Sequence, residues 1–311
     1  MNKLIVSSSP HVHKAKNTRN IMLEVALALL PAVAAGTYLF GFRALVVVVT
    51  CVLSSIVSEF LFNVITKRPQ TIFDFSAVVT GIILALNLRA DAPLWQCVIG
   101  SVFAIVVVKC FFGGLGCNFA NPAATARIFL LVSFSATLGG GAVPTKLPDN
   151  VLVSSATPLE LLKNGGELPS LMNMLFGFRG GAIGETCIIA ILIGFLFLSL
   201  RKVIHFETPI AMVATVFVLS LIFDNSLVIA TYQILSGGLI FAAVFMATDY
   251  VTTPITRSGK ILFAVGCGLI TFLIRRFGAY PEGVSFSILL MNIISPYIEK
   301  WTAKRPLGGK K

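Results

Sequence analysis

The sequence predicts an all-α, polytopic integral membrane protein with about ten transmembrane helices, interrupted spans and one larger extracytoplasmic loop. Three observations lead there. Of the 311 residues, 56% are hydrophobic and only 12% are charged, with a mean hydropathy of +0.92; soluble domains carry roughly 25% charged residues. Apolar runs recur along the chain at lengths close to the roughly 20 helical residues that cross a hydrocarbon core. The basic residues then divide unevenly between the connections, which is how a membrane chain is oriented.

The spans follow in order. A basic segment, residues 1–20, precedes a first helix group over 21–138, with spans at 21–42, 44–65, 73–88, 94–111 and 121–138. The first span contains Glu24 and Pro31 and lacks a small-residue cleavage site, so it reads as a retained helix and not as a signal peptide. A polar loop, 139–181, separates it from a second group over 182–298, with spans at 182–200, 206–223, 228–248, 261–277 and 284–298. A basic tail, 299–311, closes the chain. Of the 24 basic residues, seven (Arg43, Arg89, Lys146, Lys163, Arg179, Arg275 and Arg276) fall on the side of the 139–181 loop and 17 on the other; without Lys109 and Arg127, which lie near span ends, the ratio is 15 to 7. This places both termini in the cytoplasm and the loop outside. It also explains the net charge of +11 without nucleic acid.

Chemistry is sparse. The six cysteines (51, 97, 110, 117, 187 and 267) contain no Cys-x-x-Cys pair, so a zinc or iron–sulfur site built by this chain alone is not expected. Cys110 and Cys117 flank a glycine-rich stretch, where buried small residues are the favoured reading over pairing or ligation. No histidine cluster forms from His11, His13 and His205. Glu24, Glu59, Asp74 and Asp249 lie within or beside apolar spans, and a carboxylate there costs several kcal/mol unless paired, hydrated or protonated. They are the ion-pathway candidates. Glu59 is the deepest, with Lys67 and Arg68 two turns further on; the others also suit an interfacial position.

Two interrupted stretches resemble each other: Ala120-Asn-Pro122-Ala-Ala-Thr125-Ala-Arg127 and Thr252-Thr-Pro254-Ile-Thr256-Arg257. Both are expected to begin spans, and broken helices of this kind line binding sites because they offer free backbone groups away from lipid. The run Phe112-Gly-Gly-Leu-Gly-Cys-Asn-Phe-Ala-Asn-Pro122 lacks the Lys-Ser/Thr of a phosphate loop, so its glycines are expected to permit close backbone approach. In the polar loop, Thr157-Pro158-Leu-Glu160 reads as a capping box with proline at the first helical position.

Together these stretches resemble one family: the RnfD components of Rnf electron-transport complexes and the related NqrB components of the sodium-pumping NADH:quinone oxidoreductase. Ser7-Ser-Ser-Pro-His11, Lys67-Arg-Pro-Gln-Thr71, the 112–123 stretch, Ala247-Thr-Asp-Tyr-Val-Thr-Thr-Pro254 and Ser155-Ala156-Thr157-Pro158-Leu159 carry the likeness over nearly the whole chain. The resemblance implies a redox subunit of an ion-translocating ferredoxin:NAD oxidoreductase in the bacterial inner membrane, not catalytically complete alone and surrounded by the other Rnf subunits and lipid. It implies FMN attached to Thr157 through a phosphoester that a separate flavin transferase makes, with Ser155, Ala156 and Pro158 as the flanking motif; Ser155 stands where many such motifs carry glycine. An ester phosphate at an N-cap suits the positive end of the helix that follows. It implies, too, a second, non-covalent flavin, riboflavin, with 112–122 and 247–254 as candidate stretches. The alternative is a secondary transporter or channel with broken helices and no redox cofactor, which gives Thr157 no role beyond its cap.

Overall fold

The computed structural model describes residues 17–146, 156–278 and 282–303. Among the described residues there are helices and no named strand; one isolated antiparallel bridge joins Ala142 to Gly181. The helices are α1 (Thr18–Phe40), α2 (Phe42–Ile65), α3 (Ser76–Leu86), α4 (Leu94–Val102), α5 (Pro122–Ser133), α6 (Ser135–Leu138), α7 (Pro158–Asn164), α8 (Leu171–Phe176), α9 (Ile188–Leu200), α10 (Glu207–Asp224), α11 (Leu227–Leu235), α12 (Leu239–Phe245), α13 (Arg257–Phe277) and α14 (Val284–Thr302). A 3₁₀ turn, Ile72–Asp74, precedes α3, and α4 runs on as a π-helix, Phe103–Cys110.

The ten expected segments are all helical, but not all are full spans. Four helices are long and apolar enough to cross a membrane: α1, α2, α10 and α13. A fifth crossing is made by α11 and α12 if the pair is taken as one span, bent by 53° between them. Among the described residues, four shorter apolar helices (α3, α4 with its π-helical continuation, α5 and α9) occupy the segments between α2 and α10, and α14 forms the tenth. The differences have local causes. The expected 121–138 span breaks at Phe134, and the 182–200 span becomes helical only from Ile188, because 182–187 is a buried connection. The 228–248 span is interrupted at Ser236–Gly238, where Gly237 has φ +63°. That left-handed backbone is tolerated by glycine and strained for other residues.

The two helix groups share one core. In the first, α1 packs on α2 and α3; in the second, α10 packs on α13 and α13 on α14. They meet where α1 lies on α9 and α5 on α14. Close approach of α1 and α9 rests on Gly194, whose missing side chain leaves room for the carbonyl of Ala28. The outward face of α2 shows Val49, Leu53, Val57, Phe60 and Leu61. So much exposed apolar surface excludes a soluble monomer and suits lipid or partner helices.

Ion pairs mark the ends of the bundle. Arg201, after α9, pairs with Glu24 near the start of α1 at 2.6 Å. Arg257 pairs with Glu207 at the starts of α13 and α10, at 2.5 Å. At the opposite ends of these helices, Arg276 pairs with Asp224, Lys163 donates to the carbonyl of Gly278, and the amides of Thr145 and Lys146 donate to Leu39. Four of the basic residues counted as loop charges are buried instead: Lys109, Arg127, Arg179 and Arg275. Lys109 is 2% exposed and belongs to the interior, and Arg127 lies beside α7.

Candidate functional sites

Two pockets flank α5. The first, about 780 Å³ of open space, is lined where α1, α3, the π-helix, the start of α5 and the segment after α12 converge. Both candidate stretches contribute: Asn118, Asn121 and Pro122 from one, Asp249, Tyr250 and Val251 from the other. Asn121 is the N-cap of α5, its Oδ1 accepting from the amides of Ala123 and Ala124 at 3.1 Å, while its Nδ2 donates to the carbonyl of Met246. This one side chain thus ties the two stretches together. Most of the wall is apolar, with a few convergent polar groups, the usual make-up of a ligand site.

The glycine-rich stretch differs from expectation. Gly113, Gly114 and Gly116 have φ of +118°, +95° and +92°, and a side chain on Gly114 or Gly116 would meet nothing within 4 Å. Their role here is conformational, turning the chain from the π-helix to Asn118. Cys110 is buried and Cys117 exposed; both are free thiols.

Lys109 reaches the same pocket from the π-helix. Its ammonium lies 2.9 Å from both carboxylate oxygens of Glu59 and 2.6 Å from Ser76 Oγ, which uses all three of its protons. Thr71 donates to Glu59 at 2.6 Å. The partner of Glu59 is therefore Lys109, on another helix, and not Lys67 or Arg68 beyond the end of its own. Asp74 is a helix-start residue accepting from the amide and hydroxyl of Ser76, and Glu24 is held by Arg201. Asp249, in the connection after α12, accepts from the amide of Val251 and the hydroxyl of Thr252, both at 3.2 Å. Burial raises its carboxyl above the ordinary range, and those two hydrogen bonds oppose the rise.

The second pocket, about 500 Å³, is lined by Thr157 and Glu160 of α7, Arg127 and Leu131 of α5, and Glu282 before α14. The capping box is present: Thr157 Oγ accepts from the Glu160 amide at 3.3 Å, and the Glu160 carboxylate accepts from the Thr157 amide at 2.8 Å. Pro158 fills the first helical position and Gly165 ends the helix at φ +71°. Ala156 precedes the cap; Ser155 lies outside the described residues. Thr157 is 5% exposed.

Behind this pocket lies a buried polar cluster that the sequence did not reveal. Arg127 reaches Glu282 at 3.8 Å, and its other terminal nitrogen, Nη1, has no hydrogen-bond partner among the described residues. Glu282 in turn faces Glu185, in the connection before α9. Burial, then the charge of Glu282, pushes the Glu185 carboxyl up to about 8. Arg179, 1% exposed, donates to the carbonyl of Glu185 at 2.6 Å, and Arg275 donates to the carbonyls of Gln233 and Ser236. Gly237, at the break between α11 and α12, sits against Leu159, Arg275 and Glu282. Glu185 was legible by the criterion that flagged the other carboxylates, since it stands at the edge of an apolar run. Glu282, in Tyr280-Pro-Glu-Gly283, carries no such signal.

Comparison with known proteins places this arrangement in a family. The chain is 46% identical to the D subunit of the Na(+)-translocating ferredoxin:NAD(+) oxidoreductase complex of Acetobacterium woodii, covering 99% of this chain and 96% of that protein. It is 39% identical to the D subunit of the proton-translocating ferredoxin:NAD(+) oxidoreductase complex of Clostridium ljungdahlii, covering 100% and 98%. It is 36% identical to the D subunit of the ion-translocating oxidoreductase complex of Actinobacillus succinogenes, covering 97% of each. With the family model matched over residues 5–308, the chain belongs to the NQR2, RnfD, RnfE family.

Proposed function

We propose that this chain is the D-type membrane subunit of an Rnf-type ferredoxin:NAD oxidoreductase that moves Na⁺ or H⁺, and that it holds one flavin in each of the two pockets. The observation that carries the reading is the pocket shared by Thr157 and Arg127. A hydroxyl with the family's sequence context shares a pocket with a buried guanidinium whose Nη1 has no partner among the described residues, a donor that an ester phosphate can use. FMN bound there supplies one- and two-electron chemistry; the protein supplies position and potential. Thr157 provides the attachment point and Pro158 and Glu160 hold it at the start of α7.

The first pocket suits riboflavin. Its apolar wall accepts a flat ring system, and Asn118, Asn121 and Asp249 offer donors and acceptors for the polar edge. Residues of α5 line both pockets, so this helix would help hold both flavins, whose redox chemistry the cofactors themselves would supply. Glu59 and Asp249 are the carboxylates beside the first pocket and the residues proposed to handle the ion. The partners are the other Rnf subunits, lipid and a flavin transferase; the membrane is the bacterial inner membrane, with both termini cytoplasmic.

The test is the visible spectrum and in-gel fluorescence of the chain purified after co-expression with a flavin transferase. Flavin absorbance, part of it remaining with the denatured band, supports the reading. A colourless chain that still assembles would leave a secondary transporter with broken helices as the better account.

A further inference from the structure

The described cations lining the Thr157 pocket reduce to one, Arg127, and it is paired at 3.8 Å with Glu282, a longer separation than a charge-assisted hydrogen bond. Its side chain is 8% exposed and Nη1 has no partner among the described residues, so the guanidinium of this pocket-lining residue retains donor capacity. The Glu282 side chain, 25% exposed, has a second partner, Glu185, to which it is hydrogen-bonded. We propose that Arg127 is the phosphate-binding residue of this site. In this arrangement Arg127 exchanges Glu282 for the phosphodiester on Thr157, and Glu282 keeps the hydrogen bond it already shares with Glu185. The inference rests on the reading of Thr157 as the flavin attachment point.

The charges balance. A phosphodiester carries one negative charge, which Arg127 meets as it now meets Glu282. The released Glu282 carboxylate already has a donor in Glu185, which is hydrogen-bonded to it and retains its proton at neutral pH, because burial and Glu282 raise its carboxyl to about 8. A protonated carboxyl donates one hydrogen bond, which the Glu282 carboxylate accepts. Other charges around the group are accounted for. Glu160 is engaged by the Thr157 amide, Arg179 by the Glu185 carbonyl, and Arg275 by the Gln233 and Ser236 carbonyls. No bond forms or breaks in the exchange beyond the ester itself, which a transferase makes from FAD with release of AMP.

The experiment reads the phosphorus directly. Wild-type, Arg127→Gln, Arg127→Lys and Glu282→Gln chains are co-expressed with the transferase, and the ³¹P resonance of the covalent flavin is recorded folded and then in SDS. In the wild type the folded resonance should stand apart from the denatured one. In Arg127→Gln the two should coincide, and Arg127→Lys should restore most of the difference. Glu282→Gln should keep or enlarge it, because the cation is then released to the phosphate. If the Arg127–Glu282 pair were only structural, the two disrupting variants would lose the difference together, and that result would overturn the proposal. So would an Arg127→Gln spectrum identical to the wild type. A wild-type chain with no covalent phosphorus would instead refute the attachment at Thr157. Variants that lose the bundle are recognised by loss of their helical circular dichroism, and Arg127→Lys then carries the comparison.

Discussion

At the residue scale, the most consequential feature is an ion pair with no solvent. Lys109 and Glu59 are 2% and 1% exposed, and each is the other's principal partner. Removing one partner of a buried pair leaves an uncompensated charge, at a cost of about 3–5 kcal/mol, whereas replacing both is often neutral. Lys109→Met and Glu59→Gln should therefore each lower the unfolding temperature in detergent, and the double variant should recover most of the loss. Recovery with failed ion transport would assign the pair to function; recovery with normal transport would make it structural. Glu185 gives a second prediction. Its folded carboxyl is raised from an ordinary 4.5 to about 8, so the stability linked to it is fully present below about 4.5 and is lost as pH rises through about 8. Thermal stability should fall over that window, and Glu185→Gln should flatten the fall. An unchanged pH profile in Glu185→Gln would show that the carboxyl is not held protonated. The sequence made Glu59 visible because a carboxylate in an apolar run stands out. It hid Lys109 as the partner, because the two are 50 positions apart.

At the element scale, the interruptions are where chain geometry and chemistry coincide. The capping box of α7 was legible because its signal is local: threonine, proline and glutamate within four residues. The break between α11 and α12 was not, since apolar residues continue on both sides of Ser236–Gly238 and only the folded backbone shows the 53° bend. Its purpose is visible in what it touches. A side chain on Gly237 would lie 2.7 Å from Leu159, and 3.2 Å from both Arg275 and Glu282, on a backbone with φ +63°. Gly237→Ala should cost about 1–3 kcal/mol from backbone strain alone. Because the clash falls on the polar cluster behind Thr157, it should also disturb the covalent flavin while sparing a flavin in the first pocket. Spectra of the variant taken before and after denaturation separate the two; equal loss from both would show that the break serves the whole bundle.

For the whole molecule, the helical membrane class and the order of the segments followed from composition and apolar periodicity, which are sums over many residues and tolerate local error. Span lengths did not follow, because buried connections such as 182–187 are as apolar as helices. The orientation proposed from the uneven distribution of basic residues puts α7 and the Arg127 cluster on the outer face. Cysteines introduced singly at Lys146 and Lys163 should react with an impermeant reagent in intact cells once the loop is accessible, and one at Lys202 should not. Labelling at 202 but not at 146 or 163 would invert the chain and put the Thr157 flavin on the cytoplasmic face.

A covalent bond at one hydroxyl is the central claim, and intact mass tests it most directly. Wild-type chain made with its flavin transferase should carry the added mass of one esterified FMN, and chain made without the transferase should not. Thr157→Ala should show no addition under either condition. That change also removes the helix cap, but at about 1 kcal/mol this is too small a loss to unfold the bundle, so the variant should still insert into the membrane. Ser154→Ala should keep the addition. An FMN adduct on Thr157→Ala, or none on wild-type chain made alongside an active transferase, would contradict the claim and leave Thr157 as a helix cap.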